Sequence, residues 1–251
     1  SPGACIEQPP TAADRHQVVF VDAGHGGVDP GAQGTGPGGV PVSEKDVTLG
    51  VALALAPLLR AKGFTVVLSR TADTLVANLP EQDLNADGSL TPDGFRADLE
   101  ARVACANSAH AEAMVAIHFN VFDDPTAVGS QAFYDPDRPF AHNSLQLAQD
   151  VEAGLIGQFR SSGWDIPDRG VQSDTADGGP ALTPADAAYG HFIELGPVSP
   201  GVANIASDMP GTLVEPLFLS NPTEAAVAAS SAGQQVMAAG LQQGITTFLR
   251  A

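Results

Sequence analysis

The sequence predicts an α/β fold: one domain with a mostly parallel, twisted central sheet that is flanked by helices on both faces. Short apolar runs at 18–21, 64–69 and 114–117 have the length and composition of buried strands. The segments 44–62 and 96–107, which lie between these runs, have helical spacing of apolar residues. Alternating strands and helices form βαβ units, in which the strands are parallel.

The other segments give weaker signals, and no internal repeat or long linker divides the chain. We expect further strands at 131–134 and 212–219, a helix at 143–159, and one or two helices in 223–249. The polar, turn-rich stretches 71–95 and 161–210 are predicted as loops, and the second is expected to shape a cleft. We interpret 1–17 as an N-terminal extension and 18–251 as the single folded domain.

Composition and charge exclude several classes of partner. The 251 residues include 11 basic and 29 acidic side chains, giving a net charge of −18, which disfavours nucleic acid and anionic membrane surfaces. No apolar run reaches the roughly 18 residues of a membrane-spanning helix. The start at Ser1 is typical of an exported chain without its signal peptide or of a shortened sequence, and the pair Cys5 and Cys105 suggests one disulfide in an exported protein. Two unrelated thiols are the alternative.

Four side chains that can bind a metal ion or transfer a proton lie at the ends of predicted strands and helices. His25 follows the first strand in a glycine-rich loop, His118 follows a later strand, and Glu44 opens a helix. Glu215 lies within an apolar run and is followed by proline, which favours a strand end. Because strand carboxyl ends and the following helix N-termini share one edge of a parallel sheet, all four side chains can converge.

Two neutral imidazoles and one carboxylate form a common catalytic zinc shell, which leaves the second carboxylate as a general base. These residue types alone do not decide which glutamate has which role. A charge inside an apolar strand is costly unless it is paired or faces a ligand, so Glu215 also points to a functional site. A structural salt bridge from Glu215 to Arg70 or Arg102 is the alternative.

Four motifs in this order resemble the zinc-dependent N-acetylmuramoyl-L-alanine amidases of the amidase type 3 group, in particular their single-domain exported mycobacterial members. They are VDAGHGGVDPGAQG, SEKDVTL, ARVACANSAHAEAMVAIHFN and LVEPLFLSNPTEA. The resemblance implies Zn²⁺ ligands at His25, Glu44 and His118 and a catalytic glutamate at Glu215. It also implies cleavage of the amide between N-acetylmuramic acid and L-alanine of peptidoglycan. Arg102 and Asn107 match a structural pair of the family.

The chain departs from the family pattern at several places. Ala23 stands where the family commonly has proline, and the match is weak over 179–210, which leaves Glu194 as a rival for an active-site role. A zinc peptidase and a silent peptidoglycan-binding module are the alternative functions, although a binding module needs no general base. We expect a monomer that acts on peptidoglycan or muramoyl-peptide fragments in the cell wall, periplasm or extracellular space.

Two further features of the sequence favour structural roles over functional ones. His16, His110, His142 and His191 are interpreted as surface or packing residues, with His191 the closest to the cleft-shaping stretch. The segment 83–94 resembles the first half of an EF-hand calcium loop, with Gly88 at the sixth position. Its twelfth position is Gly94 instead of glutamate, which favours an Asx-rich turn.

Overall fold

A computed structural model describes residues 1–177 and 179–250. Its main sheet has seven strands in the order β1-β5-β2-β6-β9-β7-β8, and β3 and β4 form a separate hairpin. The strands are β1 Ala4–Gln8, β2 Val18–Ala23, β3 Gln33–Gly36, β4 Val40–Ser43, β5 Thr65–Arg70, β6 Ala113–Ile117, β7 Ser130–Tyr134, β8 Asp168–Ser173 and β9 Gly211–Glu215. The helices are α1 Glu44–Arg60, α2 Pro92–Ser108, α3 Ala141–Ser161, α4 Asp174–Asp177, α5 Pro184–Tyr189, α6 Pro222–Ala229 and α7 Ser231–Phe248.

The centre of the sheet is parallel, as the sequence predicts. Strands β5, β2, β6 and β9 pair in parallel, whereas β1 is antiparallel to β5 and β7 is antiparallel to β9. Strand β8 pairs in parallel with β7 at the other edge. The carboxyl ends of the four central strands therefore lie along one edge, which is where an open α/β sheet places its ligands.

Side-chain alternation along the central strands builds a core on each face of the sheet. On β2, Val19 and Val21 join a large cluster with residues of α1, α3 and α7, and Phe20 joins a second cluster on the opposite face. That second cluster contains Cys105 and Ala106 of α2. Helices therefore cover both faces, which confirms the predicted fold class.

Several predicted boundaries were wrong. The strand at 212–219 ends at Glu215, because Pro216 cannot donate to the ladder. The helix at 96–107 begins earlier, at Pro92, since the Thr91 side chain accepts a hydrogen bond from Gly94 N and caps it. The stretch 161–210 is not all loop: it contains β8, α4 and α5.

The N-terminal segment takes part in the sheet. Its strand β1 pairs with β5, and Cys5 forms a disulfide with Cys105 of α2, with Cα atoms 5.8 Å apart. The predicted disulfide is therefore present, and the alternative of two free thiols was wrong. Within 1–177 and 179–250, no helix is both long and apolar enough to cross a membrane.

Candidate metal centre and active-site cleft

His25, Glu44 and His118 converge at the carboxyl edge of the sheet, as their positions in the sequence predict. The donor atoms of these three side chains lie within 4.8 Å of one another. His25 Nε2 is 3.1 Å from Glu44 Oε2, and His118 Nδ1 is 3.2 Å from Glu44 Oε1. The two imidazole rings meet edge to face with centroids 4.9 Å apart. This donor set suits a divalent metal ion.

The glycine-rich loop after β2 makes this approach possible. His25 has a backbone φ of +62°, a left-handed conformation that is uncommon outside glycine. A Cβ at Gly24 would lie 2.5 Å from His118 Cε1, and a Cβ at Gly31 would lie 2.7 Å from Glu44 Oε2. Only glycine at these two positions leaves room for the three donor side chains.

Asp29 fixes the orientation of the His25 ring. Its Oδ2 lies 2.8 Å from His25 Nδ1, so that Nε2 is directed at Glu44. A carboxylate on the far nitrogen is the usual partner of a metal-binding histidine. Sequence reasoning missed Asp29, although its position four residues after His25 in the same loop was a usable signal.

The electrostatics of the three residues favour an anionic Glu44. Burial opposes its ionisation, yet His25 and His118 hold the pKa of the Glu44 carboxyl well below its usual range. Its oxygens also accept hydrogen bonds from Phe119 N at 2.9 Å and Ala32 N at 2.7 Å. Burial lowers the pKa of His25, but Glu44 and Asp29 outweigh burial and raise it to about 9. Binding of a metal ion would therefore release protons from this site.

Glu215 is the last residue of β9 and lines the same cleft. Asn120 Nδ2 donates to Glu215 Oε2 at 2.5 Å. Burial and the nearby negative charge of Glu44 raise the pKa of Glu215 to about 8. No arginine of the described ranges pairs with it, so the alternative of a structural salt bridge to Arg70 or Arg102 was wrong.

Arg102 and Arg70 instead support the loop that carries His25. Arg102 pairs with Asp22 and Asp98 at 2.8 Å each and donates to the His25 carbonyl oxygen at 2.8 Å. Arg70 donates to the carbonyl oxygens of Ala23 and Gly24. Buried arginines therefore satisfy backbone acceptors that the sharp turn after β2 leaves without strand partners.

Asn107 holds a different part of the structure. Its side chain donates to Ala206 O and accepts from Asp208 N, both at 2.9 Å. It therefore ties α2 to the loop before β9, which fits the structural role that the family resemblance implies for it.

Glu194 also lines the cleft, but it lies beside His118 and not at the end of β9 as Glu215 does. Its Oε2 lies 3.7 Å from His118 Nε2, the imidazole nitrogen that faces away from Glu44. The side chain is buried, and the segment around it forms one wall of the cleft. Its position suits a residue that orients His118.

The cleft has a volume of about 420 Å³. Its polar lining includes the three candidate metal ligands together with Glu194 and Glu215, and the rest of its lining is largely apolar. The apolar lining includes Phe95, Leu99, Phe192, Ile193 and Leu213. The segment 179–194, where the sequence match was weak, supplies part of this wall. The prediction that 161–210 shapes a cleft is thus confirmed for that part.

The segment 83–94 folds as an Asx-rich turn. Asp87 Oδ1 accepts hydrogen bonds from Ser89 N at 3.0 Å and Ser89 Oγ at 2.6 Å, and Asn85 Nδ2 donates to Leu90 O. Gly94 lies inside α2. Among the residues described, the side-chain groups that can hold a metal ion do not include any of this segment.

The chain is similar to known proteins over most of its length. A family model described as Amidase_3, N-acetylmuramoyl-L-alanine amidase, matches residues 19–247. The chain is 28% identical, over 92% of its length, to the germination-specific N-acetylmuramoyl-L-alanine amidase of Bacillus subtilis, of which it covers 79%. It is 30% identical, over 94% of its length, to AmiC of Escherichia coli O6:H1, but spans only 53% of that longer protein.

Solved structures give the same result. The N-acetylmuramoyl-L-alanine amidase of Clostridium difficile 630 is 26% identical with a TM-score of 0.65, covering 94% of this chain and 97% of that one. Ami1 of Mycobacterium smegmatis shares the fold at 22% identity and a TM-score of 0.61, with coverages of 95% and 99%. Since the family model spans nearly the whole chain, this chain belongs to the Amidase_3 family of N-acetylmuramoyl-L-alanine amidases, which are hydrolases of C–N bonds.

Proposed function

We propose that this chain hydrolyses the amide bond between the lactyl group of N-acetylmuramic acid and L-alanine of the stem peptide, using a Zn²⁺ ion held by His25, Glu44 and His118. The observation that carries the proposal is the convergence of these three donors with Glu215 in one cleft, in a chain of the amidase family. The role is remodelling of the bacterial cell wall.

Zinc is the metal that the donor set favours. Two imidazoles and one carboxylate are a usual protein contribution to a catalytic zinc site, which keeps a further position open. When bound, zinc supplies a Lewis acid that polarises a carbonyl oxygen and acidifies water. The close packing of Gly24 and Gly31 against the donor side chains supports a site built for one small ion.

Glu215 is proposed as the general base and then the general acid. As base, its carboxylate takes a proton from the attacking water, whose oxygen forms the new bond to the carbonyl carbon. As acid, it gives that proton to the alanine nitrogen as the C–N bond breaks. The products are a lactyl carboxylic acid and a peptide with a free amino terminus. Asn120, which donates to Glu215, holds the carboxylate in the cleft.

Residues around the metal donors have positioning roles in this proposal. Asp29 orients His25, and Glu194 faces the free nitrogen of His118. The apolar wall of Phe95, Leu99 and Phe192 excludes water from one side of the cleft, which strengthens the electrostatic interactions inside it.

The Cys5–Cys105 disulfide supports a site of action outside the reducing cytoplasm. We therefore propose that the chain acts after export, on peptidoglycan of the cell wall. The expectation of a monomer stays a prediction.

The test is analysis of products from purified peptidoglycan by mass spectrometry, together with zinc content by elemental analysis. We expect stem peptides with a free N-terminal alanine and glycan strands with free lactyl groups. Cleavage within the stem peptide would indicate a peptidase instead. Binding to peptidoglycan without release of any product would indicate a silent binding module, and either result would overturn the proposal.

A further inference from the structure

A second cluster of metal-ligating side chains lies outside the centre formed by His25, Glu44 and His118. Asp135 directly follows β7, Asp174 is the first residue of α4, and His191 follows α5. One donor atom from each of the three lies within 4.8 Å of the others. Residues distant in sequence thus bring two carboxylates and one imidazole to one point.

The spacing in this second cluster is similar to that of the first centre. His191 Nδ1 lies 2.8 Å from Asp135 Oδ2 and 3.6 Å from Asp174 Oδ2. The corresponding distances from the two imidazoles to Glu44 are 3.1 and 3.2 Å. The second cluster is therefore compact enough for its donors to surround one ion.

The two carboxylates are buried without a lysine or arginine partner, and only the His191 imidazole lies beside them among the basic side chains described. Asp135 is 1% exposed and Asp174 is 0% exposed. Among residues 1–177 and 179–250, neither forms a salt bridge with lysine or arginine, and Asp135 Oδ2 and Asp174 Oδ1 have no hydrogen-bond partner. Two buried, adjacent carboxylates are unfavourable unless a positive charge lies between them.

The remaining atoms of the cluster hold the donors in place. Asp135 Oδ1 accepts from Asp137 N at 2.6 Å, and Asp174 Oδ2 accepts from Phe192 N at 3.1 Å. The Asp137 carboxylate faces His191 Nε2 at 3.8 Å and leaves Nδ1 directed at the cluster. In the first centre, Asp29 lies closer to the far nitrogen of His25, at 2.8 Å.

We propose that Asp135, Asp174 and His191 form a second metal site, which binds a divalent transition-metal ion such as Zn²⁺ or Mn²⁺. The imidazole nitrogen disfavours Ca²⁺ and Mg²⁺, which prefer oxygen ligands alone. The unpartnered, buried carboxylate oxygens are the observation that distinguishes this cluster from an ordinary group of acidic residues.

The site would stabilise the wall of the cleft. Asp174 begins the helix that leads to Asp177, and His191 directly precedes Phe192, Ile193 and Glu194, all of which line the cleft. An ion shared with Asp135 would tie this wall to the end of β7 in the central sheet. The second ion has a structural role in this proposal and takes no part in the reaction.

The proposal is tested by crystallising the whole chain after dialysis against zinc or manganese. Anomalous scattering then gives the number and the positions of the bound ions. For one of these two metals, we expect two anomalous peaks per chain, one of them between Asp135, Asp174 and His191. His118→Ala should remove the first ion and keep the second. Adding Asp174→Asn to that variant should reduce the content from one ion to none by elemental analysis.

In the His118→Ala background, Asp177→Asn is the matched control, because it removes an exposed carboxylate from the same helix outside the cluster. We expect it to leave the metal content unchanged. An imidazolium of His191 paired with the two carboxylates, without any metal, is the competing explanation. A wild-type crystal with no anomalous peak at this cluster with either metal would overturn the proposal, whatever the state of the first centre.

Discussion

At the scale of single residues, the His25 loop shows how conformation and hydrogen bonding select one imidazole nitrogen. The left-handed backbone of His25 turns its side chain back over the sheet edge, and Asp29 holds Nδ1. Arg102 holds the backbone of the same residue through its carbonyl oxygen. The conformation is therefore maintained by one contact within the loop and one from α2, as expected for strain at a functional site.

Asp29→Asn should weaken zinc binding by about 10–100-fold, because the ring loses the carboxylate that orients it. The measurement is zinc affinity by competition with a chelator. Asp73→Asn is the control, since Asp73 accepts a hydrogen bond from Gly27 N in the same loop without touching the ring. Equal losses in both variants would mean that Asp29 acts only by shaping the loop.

Glu215→Gln should keep zinc but lose at least about 10²–10⁴-fold in turnover of a muramoyl-peptide, because the amide cannot accept the proton. Glu194→Gln should lose much less, since Glu194 lies beside His118 and not at the end of β9. Turnover and zinc stoichiometry are measured together for both variants. An active Glu215→Gln with an inactive Glu194→Gln would show that the roles are reversed.

The convergence of the site was predictable where its residues end regular elements. His25, His118, Glu44 and Glu215 each border a strand or helix with a clear pattern, so the parallel topology alone brings them to one edge. Asn120, which holds Glu215, lies in an irregular segment whose position depends on tertiary contacts. The same applies to Asp135, Asp174 and His191, whose strand and helix neighbours have weak patterns or none.

At the scale of elements, the spacing of apolar residues correctly predicted those strands and helices that have one continuous apolar face. Strand β8 was missed because DRGVQS has no apolar alternation, and its pairing with β7 alone makes it a strand. Strand β1 was missed because its five residues between Gly3 and Pro9 are too short for a clear pattern. Edge strands of this kind are defined by their partners more than by their own sequence.

Helices α3 and α7 pack through glycine at close range, and this contact gives a stability prediction. A Cβ at Gly244 would lie 2.4 Å from Val151 Cα, so Gly244→Ala must separate the two helices. We expect a loss of about 1–3 kcal/mol in the free energy of unfolding. Urea denaturation measures it.

Gly157→Ala is the control for this contact. Gly157 also lies in α3, but nothing would meet its Cβ within 4 Å. Alanine should therefore stabilise the protein by up to about 1 kcal/mol through its higher helix propensity. A loss at Gly157 similar to that at Gly244 would show that close packing is not the cause.

At the scale of the whole molecule, burial removes charges of both signs from the surface. Arg70 and Arg102 are buried and bind backbone or carboxylate groups of the interior. Nine of the 29 acidic residues are buried as well, so the residues at the surface carry a smaller negative charge than the net −18 of the whole chain. Several of the buried carboxyls lie away from any lysine or arginine, and such groups make stability depend on pH between 5 and 8.

Glu152 is the clearest of these groups, because it lies in α3 and belongs to neither of the two candidate metal sites. It is 3% exposed, Ser130 Oγ donates to it at 3.0 Å, and burial raises its pKa to about 8. In the unfolded chain its pKa lies near the ordinary value of 4.5. Between these two values the folded protein binds the extra proton, so the stability that Glu152 contributes is complete below pH 4.5 and is lost as the pH rises through 8.

Glu152→Gln should remove this pH dependence, because the amide is neutral at every pH and keeps an acceptor for Ser130. The free energy of unfolding of the variant, relative to that of the wild type, should increase by up to ~4 kcal/mol between pH 5 and pH 8. Urea denaturation of both proteins at several pH values measures the difference, in which the contributions of all other carboxyls cancel. A difference that stays constant over this range would mean that Glu152 is already ionised in the folded protein, with water or a cation reaching its buried oxygen.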